Sequence, residues 1–158
     1  MPDGDMPEGD LPNSVHDPLL LAPQLDAAAR ARTYVRTGLL GWGFEELLDP
    51  VLLLTSEIVS NALLHAGTRM QVLVHRDGPG VRVEVVDGSP VPPVRRRRSS
   101  SATTGRGVQL LDSLADEWGW TPEAEGKLVW FRVLSADTWV AAFDVDTISK
   151  AIVSEAQL

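Results

Sequence analysis

Three polar residues recur at four-residue spacing in an otherwise apolar segment, and their types suit a charged ligand and a metal ion. Glu57, Asn61 and His65 lie between Leu52 and Gly67. On an α-helix each four-residue step turns the side chain by about 40°, so the three form one stripe. Such an apolar helix should be mostly buried, where a carboxylate or an amide without a partner is costly. We therefore expect a ligand beside this stripe, although isolated polar residues on a helix are more commonly solvated and a lone His is usually structural.

A second polar group stands at the end of an apolar run. Asp87 follows Val81–Val86 and precedes the turn signal Gly88-Ser89-Pro90. A carboxylate at the end of a strand is well placed to accept a hydrogen bond from an amino group of a ligand. The alternative is an Asp that caps its own turn, which this residue type commonly does.

A glycine pair opens a later apolar stretch. Gly105-Arg106-Gly107 follows Thr103-Thr104 and a long loop that carries Arg95-Arg96-Arg97-Arg98. Glycines allow a ligand to approach the backbone closely, and the N–H groups at a helix N-terminus favour phosphate. Alone the pair is weak evidence, because glycines often merely begin a helix.

The composition limits the class of protein. The chain has 158 residues, 44% of them hydrophobic, no Cys and a net charge of −8. These values fit one globular domain without disulfides. The acidic balance argues against a nucleic-acid partner, since such affinity comes largely from neutralising phosphates. The sequence shows neither a signal peptide nor an apolar run long enough to predict a membrane span, so we expect a cytoplasmic protein.

The chain divides into a tail, a domain and an extension. Residues 1–17 carry five acidic residues and three prolines but no Lys or Arg. We expect this tail to be disordered, because it cannot bury enough apolar surface to fold. Residues 18–135 are predicted to form the domain, and residues 136–158 a C-terminal extension that is helical around Thr147–Ala156.

Within the domain, apolar periodicity predicts five strands and three helices. The strands are expected at Leu19–Leu21, Met70–Val74, Val81–Val86, Glu117–Thr121 and Leu128–Leu134. The helices are expected from Pro23 to about Gly38, from Glu45 to Ala66 with a break or kink at Pro50, and over Gly107–Leu114. This order predicts an α/β two-layer sandwich in which helices cover one face of a mixed, mostly antiparallel sheet.

The motifs together resemble a known family. The pattern Glu57-x-x-x-Asn61-Ala62-x-x-His65-Ala66 is similar to the N box of the histidine-kinase-like (GHKL) ATPases. Asp87-Gly88-Ser89 resembles their first glycine box, and Gly105-Arg106-Gly107-Val108 the second. The branch most resembled is that of the small anti-sigma factor serine/threonine kinases, whose fold is the Bergerat ATP-binding fold. The resemblance extends roughly from residue 19 to residue 134.

This resemblance implies a role for each motif. Asn61 would ligate Mg²⁺, Glu57 would be the general base, and Asp87 would accept from the adenine amino group of ATP. The remaining nucleotide-binding residues would be Ser89, Thr104, Gly105, Arg106, Gly107 and Val108. The loop from Ser89 to Thr104 would be a lid over the nucleotide. The sequence departs from the family pattern at Ser89, where glycine is usual, which puts the mobility of that lid in question.

The resemblance implies a kinase that phosphorylates Ser or Thr of an antagonist protein and sequesters a sigma factor, and it leaves a homodimer open. One alternative is the same fold as a non-catalytic ATP-binding module that switches partners. A second is an α/β interaction domain in which Asp87 and the glycines are only turn residues. ATP binding separates the second alternative from the other two readings, and a phosphorylated partner separates kinase from passive module.

Overall fold

The structure is a computed structural model that describes residues 17–93 and 107–136. These residues form five strands, three α-helices and a short 3-10 helix at Glu45–Leu47. The strands are β1 (Leu19–Leu21), β2 (Met70–Asp77), β3 (Gly80–Asp87), β4 (Glu117–Glu123) and β5 (Gly126–Leu134). The α-helices are α1 (Ala27–Gly41), α2 (Leu48–His65) and α3 (Gly107–Leu114).

The strands form one sheet in the order β1-β2-β3-β5-β4. Every neighbouring pair of described strands is antiparallel. The fold is therefore the predicted α/β sandwich, but its sheet is antiparallel throughout residues 17–93 and 107–136 rather than mixed. Because β5 inserts between β3 and β4, the end of β3 faces the start of β5, and Asp87 lies opposite Lys127.

Alternation along the central strands creates the buried face of the sheet. Val81, Val83 and Val85 of β3 are buried, and so are Val129 and Phe131 of β5. The helices supply the other half of the same core, with buried side chains at Ala31, Val35, Leu39, Val51, Leu54, Ile58, Val59 and Leu111. The core thus fixes α1, α2 and α3 on one face of the sheet.

Helix α2 continues through Pro50, contrary to the predicted break or kink. Pro50 is the third residue of the helix. A first-turn N–H has no intrahelical acceptor, so proline loses no hydrogen bond there. The helix ends as predicted, because Gly67 has a φ of 60° and its N–H donates to the Ala62 carbonyl at 3.2 Å.

The segment Glu45–His65 is long and apolar enough to cross a membrane. Its buried residues, however, belong to the core of this domain.

Helix α1 also differs from its predicted bounds. The prediction started it at Pro23 and ended it near Gly38, but it begins at Ala27 and extends to Gly41. The N-terminal difference arises because the residues after Pro23 form a turn before the helix, in which Gln24 donates to the Ala22 carbonyl. At the other end Leu39 is buried in the core, and this packing outweighs the cost of a glycine inside a helix. The predicted acidic tail, the arginine run and the C-terminal helix lie outside the described residues, apart from Asp17.

Candidate functional site

Asp87 is the last residue of β3, and its carboxylate is buried against a lysine. The Asp87 side chain is 2% exposed and the Lys127 side chain 9%. The Lys127 Nζ donates a hydrogen bond to Asp87 Oδ1 at 3.0 Å and lies 3.0 Å from Oδ2. A buried carboxylate is costly unless it is paired and hydrogen-bonded, and this lysine supplies the opposite charge. The end of β3 therefore holds a buried ion pair that links it to β5.

The turn after β3 uses the same carboxylate. The Ser89 N–H donates to Asp87 Oδ1 at 2.8 Å, and the Val91 N–H donates to Ser89 Oγ at 3.3 Å. Asp87 thus caps its own turn, which was the alternative interpretation of this residue. The two interpretations are compatible, because a carboxylate has about four acceptor positions and the turn occupies one of them.

Two glycines permit the close approach of the chain segments at this edge. A Cβ at Gly126 would lie 1.9 Å from the Asp87 carbonyl oxygen, so only glycine fits between β5 and β3 there. A Cβ at Gly88 would lie 3.0 Å from Oγ1 of Thr68, the same oxygen that accepts the Gly88 N–H at 2.8 Å. Thr68 belongs to the segment between α2 and β2. The contact between Thr68 and Gly88 therefore joins the end of β3 to the C-terminal end of α2.

On α2, the predicted polar stripe is only partly buried. Glu57 and Asn61 are half-buried, whereas His65 in the last turn is exposed. Within residues 17–93 and 107–136, no hydrogen bond or ion pair is formed by the Glu57 carboxylate or the Asn61 amide. Two polar groups one turn apart are thus available to a ligand. Nearby, Arg32 of α1 donates to Ser56 Oγ at 3.0 Å and ties α2 to α1.

The predicted phosphate-binding segment is described only in part. Helix α3 begins at Gly107, as predicted, and buried Leu111 anchors it in the core. N–H groups in the first turn of a helix lack intrahelical acceptors, and such groups favour an anion. Thr104, Gly105 and Arg106 lie outside the described residues, as does most of the predicted lid.

The oxygen ligands available among the described residues fit Mg²⁺ only when it binds together with the phosphates of a nucleotide. No group of three or more His, Asp or Glu side chains that could hold a metal occurs in the described part of the chain. Mg²⁺ commonly binds through one or two protein oxygens, with phosphates and water completing its shell. The amide oxygen of Asn61, which has no polar partner among the described residues, is one such oxygen. The residues therefore fit a metal that arrives with a nucleotide better than a resident metal.

Three residues of this site were not predicted as site residues: Thr68, Gly126 and Lys127. Lys127 had a signal in the sequence, because it has the same parity along β5 as buried Val129, Phe131 and Val133. A lysine on the buried face of a strand requires an acidic partner. The predicted strand began at Leu128, two residues after the observed start of β5, and so left Lys127 outside the pattern.

Comparison with known proteins identifies what the chain resembles. A family model described as the histidine kinase-like ATPase domain matches residues 21–133. A solved structure of the RsbU and RsbW domains of Rv1364c from Mycobacterium tuberculosis is similar, with a TM-score of 0.53 and 19% sequence identity. The similarity covers 75% of this chain but only 32% of that one, and at this identity it shows the fold alone. No curated protein sequence matches the chain significantly.

Proposed function

This chain belongs to the family of histidine kinase-like ATPase domains, and from that premise we propose that it binds ATP together with Mg²⁺. The observation that carries the proposal is the buried Asp87 carboxylate at the end of β3, because its Oδ2 contacts only Lys127 among the described residues and could accept from a ligand amino group. The adenine amino group of ATP is a donor of this kind. Gly107 and Val108, at the start of α3, would direct backbone N–H groups toward the phosphates.

The second part of the proposal is phosphotransfer to a protein hydroxyl. The hydroxyl oxygen of a Ser or Thr attacks the γ-phosphorus, the bond from that phosphorus to the bridging oxygen breaks, and ADP leaves. Glu57 accepts the hydroxyl proton, a role open to a carboxylate that has no polar partner among residues 17–93 and 107–136. Asn61 would hold the metal, which when bound offsets the negative charge of the triphosphate. Such reactions depend mainly on positioning and electrostatics.

The third part concerns partners and location. The fold is shared with the structure of the RsbU and RsbW domains of Rv1364c. By this likeness and the motif resemblance, we propose that the chain is a cytoplasmic regulator that sequesters a sigma factor and phosphorylates an antagonist protein. Thr104, Gly105 and Arg106, together with the lid from Ser89, are proposed to contact the phosphates.

A non-catalytic ATP-binding module is the second candidate. The usual glycine two residues after the Asp is Ser89 here, and three hydrogen bonds hold Ser89 in the turn. Its N–H donates to Asp87, its carbonyl accepts from Lys127 Nζ at 3.4 Å, and its Oγ accepts from Val91. A turn held in this way favours binding without requiring turnover, so it supports the passive module as well as the kinase.

The test has two stages. Calorimetry and thermal denaturation with ATP, each with and without Mg²⁺, measure binding, and bound ligand should raise the melting temperature by mass action. Labelled ATP and a Ser- or Thr-bearing partner then report phosphotransfer. Absence of binding at millimolar ATP would leave the interaction domain as the remaining interpretation. Binding without labelling of a verified partner would favour the passive module.

A further inference from the structure

The Lys127 ammonium has no role in the proposed chemistry, yet it occupies the most buried charged position beside Asp87. Lysine is rarely buried unless paired, and both side chains here are at least nine-tenths buried. Its Nζ contacts both carboxylate oxygens at 3.0 Å and also donates to the Ser89 carbonyl at 3.4 Å. The ammonium therefore has three contacts for its three protons.

These contacts determine which acceptor position remains at Asp87. Oδ1 accepts from the Lys127 ammonium and from the Ser89 N–H, which uses both of its lone pairs. Oδ2 contacts only the ammonium among the residues the structure describes. A ligand donor is thus directed to Oδ2. The contacts with Lys127 and Ser89 also hold the carboxylate in one orientation, and a carboxylate accepts hydrogen bonds but cannot donate one.

We propose that Lys127 is a positioning residue that makes Asp87 select an amino group over a carbonyl at position 6 of a purine nucleotide. This inference rests on the proposed ATP binding and adds the residue that sets base selectivity. A 6-amino purine donates to Oδ2, whereas a 6-oxo purine presents a carbonyl oxygen that the carboxylate repels. Without the ammonium, the Asp87 carboxylate loses the contacts at 3.0 Å that fix its orientation. Oδ2 is then no longer held in place for a ligand donor, so the advantage of the 6-amino base over the 6-oxo base falls.

The experiment compares the affinities for ATP and inosine triphosphate in Mg²⁺ buffer. The wild-type protein should prefer ATP by at least about tenfold, since one unmet polar contact is worth about that factor. In Lys127→Met the preference should fall to within about threefold. Arg132→Met is the matched control, because Arg132 lies on the same strand but pairs with Asp77, away from this site. The control should keep the wild-type ratio.

A merely structural lysine would give a different result. Lys127→Met would then weaken both nucleotides equally and leave the ratio unchanged, which would overturn the inference. Where Lys127→Met does not fold, Asp87→Asn and the double variant Asp87→Asn/Lys127→Met decide. If Lys127 acts only through the Asp87 carboxylate, its removal has no further effect once that carboxylate is an amide. The two variants should then have the same ratio of ATP affinity to inosine triphosphate affinity, and a difference between them overturns the inference. Wild-type protein that binds both nucleotides equally would also overturn it while leaving ATP binding intact, whereas binding of neither would refute the proposed function.

Discussion

The end of strand β3 and the polar stripe of helix α2 satisfy their polar groups in opposite ways. At the end of β3, Asp87 is 2% exposed and contacts Lys127 and Ser89. On α2, Glu57 and Asn61 are half-buried and have no polar partner among the described residues. The first region is complete before any ligand arrives. The second has two groups without such partners among the described residues, and the proposed function assigns them to a substrate and a metal.

This difference agrees with the role proposed for each region, which is base recognition at the end of β3 and catalysis with metal binding on α2. Recognition of a base requires a fixed acceptor in a fixed orientation, and buried ion pairs and backbone contacts provide such preorganisation. A general base and a metal ligand must instead be free to contact groups that arrive with the substrates. Changes at the end of β3 should therefore alter binding or stability, whereas changes on α2 should alter chemistry or the metal dependence of binding.

The largest expected effect is on phosphotransfer in Glu57→Gln. The amide keeps the shape of the side chain but cannot accept a proton, so the rate should fall by about 10²–10⁴-fold. ATP affinity should stay nearly unchanged, because a base acts mainly in the transition state. Single-turnover labelling of a verified partner gives the rate, and calorimetry gives the affinity. The exposed Glu45, changed to Gln, is the control. Equal losses of affinity and rate would show that Glu57 holds the ligand instead.

A smaller effect is expected for Asn61→Ala. Removing an oxygen that binds Mg²⁺ should weaken Mg²⁺-ATP binding by about 10- to 100-fold, the range for a lost contact to a charged group. Affinity measured in EDTA should be the same for the variant and the wild type. Asn61→Asp retains an oxygen ligand and should bind Mg²⁺-ATP better than Asn61→Ala. If the loss persists unchanged without the metal, Asn61 contacts the nucleotide directly and the proposed ligand role is wrong.

At the end of β3 the corresponding prediction concerns stability. In Gly126→Ala the added Cβ would lie 1.9 Å from the Asp87 carbonyl oxygen, and neither backbone segment can move without disturbing the β3–β5 ladder. Such overpacking costs typically about 1–3 kcal/mol, to be measured by urea unfolding. Gly41→Ala is the control, because nothing lies within 4 Å of a Cβ at that position. Unfolding curves that coincide for the two variants would mean that the two strands can separate here at little cost.

The alternation of apolar residues was enough to predict the strands and their buried face. Val81, Val83 and Val85 are buried as expected, because burial is a property of the pattern itself. Pro23 and Pro50 were misjudged, since the effect of a proline depends on the position at which a helix begins. That position is set by tertiary packing more than by the sequence around the proline.

The candidate site was predicted only in part for a similar reason. Asp87 and Glu57 were singled out by residue type and spacing, and their roles in chemistry stay predictions. Lys127 and Thr68 are forty and nineteen residues away from Asp87 in the sequence. Their contacts depend on the β3–β5 register and on the short connection after α2. A local sequence pattern cannot predict which distant residue each of them contacts, because these contacts form only when the sheet is assembled.

The smallest expected effect tests whether the two regions are coupled. The Thr68 hydroxyl accepts the Gly88 N–H at 2.8 Å and so joins the α2 connection to the end of β3. Thr68→Val keeps the size of the side chain but leaves that N–H without its protein acceptor, at a cost of about 1 kcal/mol. Thr68→Ser keeps the hydroxyl and should retain most of the stability. Urea unfolding measures both.

The double variant Thr68→Val/Asn61→Ala then measures the coupling through Mg²⁺-ATP affinity. If α2 and the end of β3 act independently, the two losses of binding free energy should add to within about 0.5 kcal/mol. A larger departure from additivity would mean that the hydroxyl transmits the position of one region to the other. The end of β3 and the polar stripe of α2 could then not be treated as two independent regions, one for recognition and one for chemistry. Independence is the expected result, because Asp87 is held by Lys127 and Ser89, and neither residue forms a hydrogen bond with Thr68 in the described structure.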